Sequence, residues 1–209
     1  MTRDRMLIIA AGISALLLLA IGGLWMAQRN AGDQFASCRQ GAVAGGFEQF
    51  GGPFTLTSET GERVTEAQVF DKPSLLYFGY TFCPDVCPMD AARNGVAVDV
   101  LADGGHDVRP VMITVDPKRD TPEVMRDFTD AMHPEMLGLT GSEEEIAAVN
   151  QLWRNYYRSH DDGSDPYYLV DHMTNTYLIL PEQGTVEYFG RDVTPEAMAE
   201  STACFLDRA

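Results

Sequence analysis

The clearest pattern in the chain is the nearly continuous apolar run Ser74-Leu-Leu-Tyr-Phe-Gly-Tyr-Thr81, which predicts a central strand covered on both faces. Ahead of it, Phe54-Thr-Leu-Thr-Ser58 and Arg63-Val-Thr65 flank the turn signal Glu59-Thr-Gly-Glu62 and predict a short hairpin. Behind it, apolar residues recur at helical spacing from Ala91 to Leu101, and a second buried strand is predicted from Val108 to Val115. Thr121-Pro122 caps a helix that reaches Met132, and Ser142-Glu-Glu-Glu145 opens another, predicted as far as Tyr157, with its acids near the positive end. The polar stretch from His160 to Pro166 reads as an exposed loop, followed by strands at Tyr167 to Val170 and Thr176 to Leu180. Glu182-Gln-Gly-Thr185 turns the chain into a strand from Val186 to Phe189, and Thr194-Pro-Glu196 starts a terminal helix through Phe205. Strands alternating with helices, then a hairpin and a helix, make an α/β domain: a central mixed sheet flanked by helices. A thioredoxin-like fold with an N-terminal β-hairpin fits that order.

One segment stands apart. Met6 to Met26 is a 21-residue run without a charge, about the ~20 residues a helix needs to cross a bilayer. It is longer than the apolar core of a cleaved signal, about 7 to 15 residues, so it is read as a single uncleaved transmembrane helix. Arg3 and Arg5 precede the run and only Arg29 follows it, which keeps the short tail in the cytoplasm and places the rest in the periplasm of a bacterial inner membrane. The expected organisation is therefore a tail and anchor over 1–27, a linker of small and polar residues over 28–46, and a thioredoxin-like domain over 47–209.

Charge narrows the partners. From Ala31 onward the chain carries 30 acidic and 12 basic side chains, a net charge of −18, which argues against nucleic acid and against anionic lipid surfaces. Of the four cysteines, Cys38 follows the linker and Cys204 lies on the last predicted helix, so a disulfide between them would tie the two ends of the domain together. Phe35-Ala-Ser-Cys38 has some likeness to a lipoprotein cleavage site but lies twelve residues beyond the apolar run, too far for that processing.

The other two cysteines sit in Thr81-Phe-Cys-Pro-Asp-Val-Cys-Pro-Met-Asp90, four positions apart and each followed by proline. A residue before proline is pushed out of the α region, so both are expected on a loop at the carboxyl end of the central strand, with Pro88 opening the next helix. Open α/β sheets place their ligands there, and a thiol near a helix amino terminus is favoured as thiolate. A disulfide between them would close too short a loop to add much stability. Three intervening residues, where thioredoxin-like oxidoreductases have two, leave room for an ion. Two thiolates under-coordinate most metals, so a third ligand is expected from a His, a Met or a carboxylate. His106, His133 and His160 read as solvated surface residues. His172, in Val170-Asp-His-Met173 before a buried strand, is the candidate. Two thiolates and an imidazole suit Cu(I), and also accommodate Cu(II) or Zn(II), with copper preferred. Asp171 is a candidate to orient the imidazole, and Met173 a conceivable extra ligand.

Gly79-Tyr-Thr-Phe-Cys-Pro-Asp-Val-Cys-Pro88, Asp116-Pro-Lys-Arg-Asp-Thr-Pro122 and Asp171-His172 together resemble the Sco/SenC family over roughly Gly51 to Phe205. That resemblance implies a membrane-anchored, thioredoxin-like copper chaperone that binds copper through Cys83, Cys87 and His172 and helps assemble the copper A centre of cytochrome c oxidase subunit II. It implies a role near the site for Asp116 and Asp120, and with them a periplasmic copper donor. Because ligation needs thiolates, a thioredoxin-like reductant must keep the pair open. The chief alternative is a thiol-disulfide reductase acting on the oxidase's copper-site cysteines with no need of His172. A peroxidase would need a Thr-x-x-Cys spacing that the chain lacks, since Thr81 stands only two before Cys83. A non-enzymatic redox sensor finds no marked output.

Overall fold

The computed structural model describes residues 12–14, 16–23, 34–39 and 43–209. The chain divides into two units, Met1–Ser37 and Cys38–Ala209. Most of the expected anchor and part of the linker lie outside the described residues; within the anchor, residues 12–14 and 16–23 are helical and exposed. Among the described residues, no helix is long and apolar enough to cross a membrane.

In the second unit, strands β1 (Thr55–Ser58) and β2 (Arg63–Thr65) form the expected hairpin, and the helical turn α1 (Glu66–Val69) follows. Then come β3 (Ser74–Gly79), α2 (Val86–Asp103), β4 (Arg109–Thr114), α3 (Pro122–Met132), β5 (Leu137–Thr140) and α4 (Glu143–Leu152). Strands β6 (Tyr157–Ser159), β7 (Val170–His172), β8 (Thr176–Leu180) and β9 (Gly184–Phe189) precede the last helix, α5 (Pro195–Leu206). Seven strands make one mixed sheet in the order β2-β1-β5-β4-β3-β8-β9, while β6 and β7 pair only with each other. Strand β3 is central, parallel to β4 on one side and antiparallel to β8 on the other. All six of its residues are buried, as its apolar run requires.

The two faces of β3 find different partners because successive side chains point opposite ways. Tyr77 reaches the helix α2, its hydroxyl donating to Asp90 at 3.2 Å. Phe78 packs on the other side against Trp153 at the end of α4, with ring centroids 6.0 Å apart. Helices thus cover both faces, and the arrangement is thioredoxin-like.

The helix starts follow their local signals. Thr121, Ser142 and Thr194 each accept a hydrogen bond from the backbone three residues on. Several elements differ from the sequence expectation. Helix α2 begins at Val86, so Cys87 lies in its first turn and not on the loop. The proline penalty is mild there, because the N–H that Pro88 lacks is one of the orphan donors of a helix start. Helix α4 stops at Leu152, before the expected Tyr157, and Arg154 takes the left-handed conformation at φ 50° that only a tertiary context imposes on a non-glycine residue. Strand β5 is four residues long, too short for periodicity to reveal, and exists through pairing with β4 and β1. The strand expected from Tyr167 to Val170 lies instead at Val170–His172, paired with β6 in a ribbon.

In the same unit, Cys38 and Cys204 are joined in a disulfide, with Cα atoms 5.6 Å apart. The guanidinium of Arg39 lies 4.6 Å from the centroid of the Phe47 ring and 5.9 Å from that of Phe205, beside the bridge.

Candidate metal centre

Three side chains from distant parts of the chain meet at the carboxyl end of β3. The ligand atoms of Cys83, Cys87 and His172 all lie within 4.8 Å of one another. Both cysteines are free thiols. Cys87 is fully buried, and Cys83, at 9% exposure, reaches the edge of the site. The turn after β3 and the start of α2 aim them together: the Cys83 amide donates to the carbonyl of Tyr80, and the Cys87 amide donates to Cys83 Sγ at 3.3 Å. Gly79 leaves space for the second sulfur. A Cβ there would lie 3.3 Å from Cys87 Sγ and 2.6 Å from the Tyr77 ring, so no side chain fits without displacing the site.

His172 ends β7 and presents Nε2 at 3.3 Å from Cys87 Sγ. Its Nδ1 lies 2.8 Å from the carbonyl oxygen of Met173, which only accepts. Nδ1 donates to that carbonyl, which leaves Nε2 as the nitrogen that faces the sulfurs and that a metal would take. The rings of Tyr77 and Tyr80 meet the imidazole edge-on, at centroid distances of 6.1 and 5.8 Å.

The two sulfurs titrate as a pair. The hydrogen bond from Cys87 pulls the Cys83 pKa well below that of an ordinary thiol against the opposing cost of burial, helped by His172 and by the amides of Asp85 and Cys87. The Cys87 pKa is raised in turn, first because its thiol is the donor to Cys83 and then by burial. Near neutral pH the pair holds one proton, and Cys83 is the thiolate. Iodoacetamide is accordingly expected to modify Cys83 and spare Cys87 in the reduced protein near pH 7, where an ordinary thiol of pKa about 8.5 is only slightly ionised. Cys87→Ala removes the principal cause, so the rise of the alkylation rate should shift to higher pH in that variant. Mass-spectrometric mapping across a pH series reads both results, and equal labelling of the two sulfurs would contradict the assignment.

The remaining sequence candidates fall outside the cluster. Asp171 does not orient His172: its exposed carboxylate pairs with His160 at 2.8 Å, because alternation along β7 sends residues 171 and 172 to opposite faces. Met173 gives His172 its main-chain carbonyl. Asp120 is fully buried and accepts from the amide and hydroxyl of Thr81, at 3.1 and 2.6 Å, and from the hydroxyl of Thr114. Burial pushes its pKa up, with those hydrogen bonds opposing. Asp116 accepts from the hydroxyl of Tyr168 at 2.7 Å and from Arg119. Asp120 thus braces the backbone just after β3, and Asp116 holds the side chains of Tyr168 and Arg119. The expected surface histidines divide: His160 is exposed, whereas His133 is mostly covered, bonding to Asp99. Sequence reasoning missed Tyr77, Tyr80 and Arg119; polar-tipped aromatics within an otherwise apolar strand were the available signal for the tyrosines.

A thioredoxin-like domain with two thiols and an imidazole converging at the end of its central strand is built to bind a soft metal ion, to exchange electrons, or both. The SCO1/SenC family model matches residues 43–207, and the chain belongs to that family. It is 55% identical over 175 residues to Protein SenC of Rhodobacter capsulatus, covering 84% of this chain and 78% of that protein. It is 41% identical over 152 residues to the mitochondrial Protein SCO1 homolog 1 of Arabidopsis thaliana, covering 72% of this chain and 45% of that longer protein. The crystal structure of Arabidopsis thaliana ScoI with copper bound superposes with a TM-score of 0.71 at 38% identity, covering 76% of this chain and 99% of that one.

Proposed function

We propose that the chain is a copper chaperone that holds one copper ion through Cys83 Sγ, Cys87 Sγ and His172 Nε2 and passes it to the copper A site of cytochrome c oxidase subunit II. One observation carries this reading: the three ligand atoms lie within 4.8 Å of one another although the residues span 83 to 172. The donor set supports copper, since two thiolates select for soft ions and the imidazole gives Cu(II) a nitrogen. The copper-bound Arabidopsis relative supports it too. Transfer needs only ligand exchange, in which incoming thiolate and imidazole ligands of the acceptor replace these three in turn, and no substrate bond is made or broken. Copper enters only while both sulfurs are reduced, so a disulfide between Cys83 and Cys87 must first take two electrons and two protons from a dithiol such as a thioredoxin-like reductant. A periplasmic donor supplies the ion.

The uncharged run from Met6 to Met26, with Arg3 and Arg5 before it, supports a single-pass anchor in a bacterial inner membrane with the domain in the periplasm. A second reading, reduction of the oxidase's copper-site disulfide, is favoured by one observation, the depressed pKa of Cys83, whose 9% exposure exceeds that of its fully buried partner Cys87. Copper titration of the full-length chain tests the first. One copper per reduced chain, none after oxidation of the pair, and sulfur and nitrogen ligands by X-ray absorption are the expected results. A reduced chain that takes up no copper, while still reducing the oxidised subunit, would leave the reductase reading in possession.

A further inference from the structure

The strand that presents His172 belongs to the β6–β7 ribbon, and neither of its strands pairs with the central sheet. No backbone ladder therefore sets the imidazole against the cysteines, and an isolated two-stranded ribbon is at best marginally stable. Side chains must do it. Arg119 lies between the two halves of the site. Its guanidinium stands 3.7 Å from the centroid of the Tyr168 ring, 4.7 Å from that of Phe82 and 5.8 Å from that of Tyr80. Tyr80 and Phe82 lie three residues and one residue before Cys83, whereas Tyr168 lies four residues before His172. Nε of Arg119 donates to Asp116, whose other oxygen accepts from the Tyr168 hydroxyl at 2.7 Å, and Nη1 donates to the carbonyl of Pro166 at 3.3 Å. On the same side the amide of Val170 donates to the Tyr80 hydroxyl at 3.3 Å. Arg119 Nη2 is buried with no partner among the described residues. A charged group kept there with an unmet donor is costly for stability alone.

Resting on the copper reading above, we propose that Arg119 is a positioning residue for His172, clamping the ribbon to the cysteine turn so that the site offers three ligands and not two. Asp116 serves the site by holding Arg119 and Tyr168, at one remove from the metal. A lysine cannot replace this arginine, because a point charge on a flexible stem neither spreads across three ring faces nor meets Asp116 and Pro166 together.

The test uses the full-length reduced chain with Arg119→Ala, Arg119→Lys, His172→Ala and the double variant Arg119→Ala/His172→Ala. Competition against a Cu(I) chelator gives affinity, nitrogen hyperfine coupling after loading with Cu(II) reports the imidazole, and amide exchange of the copper-free protein over residues 157–172 reports the ribbon. Expected for Arg119→Ala are an affinity about 10- to 100-fold lower, loss of the nitrogen coupling, and faster exchange in the ribbon with α2 unchanged. In the His172→Ala background the same change should cost no more than about twofold, because the positioned ligand is already gone. Arg119→Lys should lose the nitrogen coupling as well, and it carries the comparison, with Tyr168→Leu, if the alanine variant does not fold. Retained nitrogen coupling with near-normal affinity, or losses that multiply in full in the double variant, would overturn the proposal. Wild-type protein without a nitrogen ligand would instead overturn the copper reading, and ribbon exchange would still decide whether Arg119 holds the arm.

Discussion

His172→Ala lowers Cu(I) affinity by about two orders of magnitude without unfolding the domain. Structural zinc sites of four ligands bind with roughly 10–16 kcal/mol, so one ligand is worth on the order of 3 kcal/mol, and each 1.4 kcal/mol is tenfold. The variant keeps both sulfurs, and two thiolates still hold Cu(I) at low coordination number, so stoichiometry for Cu(I) persists while the nitrogen signature of Cu(II) disappears. The fold should survive, because His172 ends a ribbon outside the central sheet and loses its edge contacts with Tyr77 and Tyr80, its approach to Cys87 and a local bond to Met173, none of which belongs to the sheet's ladder. Cys83 should remain a reactive thiolate, since the leading cause of its depressed pKa is the hydrogen bond from Cys87 and His172 adds less. That separation makes the variant decisive between the two functions. Copper delivery requires oxidase maturation in cells to fail with His172→Ala, whereas thiol reduction requires it to continue; chelator competition and oxidase copper content measure both.

Removing the Cys38–Cys204 bridge is the second large effect, and it falls on stability. The two residues are 166 positions apart, and releasing so long a loop in the unfolded chain costs about 5 kcal/mol in the chain-entropy model, against about 2–4 kcal/mol for typical disulfides. With a urea slope of about 2 kcal/mol/M, the middle of the range for small proteins, a loss of about 2–5 kcal/mol should bring the unfolding midpoint of Cys38→Ser/Cys204→Ser roughly 1–2.5 M below the parent. Copper binding in the folded state should not change, because neither residue belongs to the metal cluster. An unmoved midpoint would mean that the bridge restrains nothing the rest of the fold does not already restrain.

Much of this architecture is written locally. The run around Leu75–Phe78 reads as a buried strand because its consecutive positions are apolar, and the hairpin and helix caps follow from turn and capping residues only a few positions apart. The Cys-Pro-Asp-Val-Cys-Pro stretch marks a site because few other uses explain two pinned thiols after such a strand. Where the expectation missed, the deciding partner was remote. β5 exists through its neighbours in the sheet, and Arg154 is held left-handed by the turn out of α4 into β6. The pairing of β7 with β6 sends Asp171 to His160 and leaves His172 on the cysteine side.

The sequence by itself determined the chemistry available: two thiols in a short segment, an imidazole after an acidic residue, and a central strand to carry the first of these. Only the tertiary structure decided which nitrogen faces the sulfurs, which sulfur keeps the proton, and that an arginine from a third segment stands between the two halves. The reason is range. Periodicity, capping and turn preference act over a few residues, whereas a hydrogen bond's direction and a thiol's pKa depend on the few ångströms around each atom, which the folded sheet assembles from residues far apart along the chain.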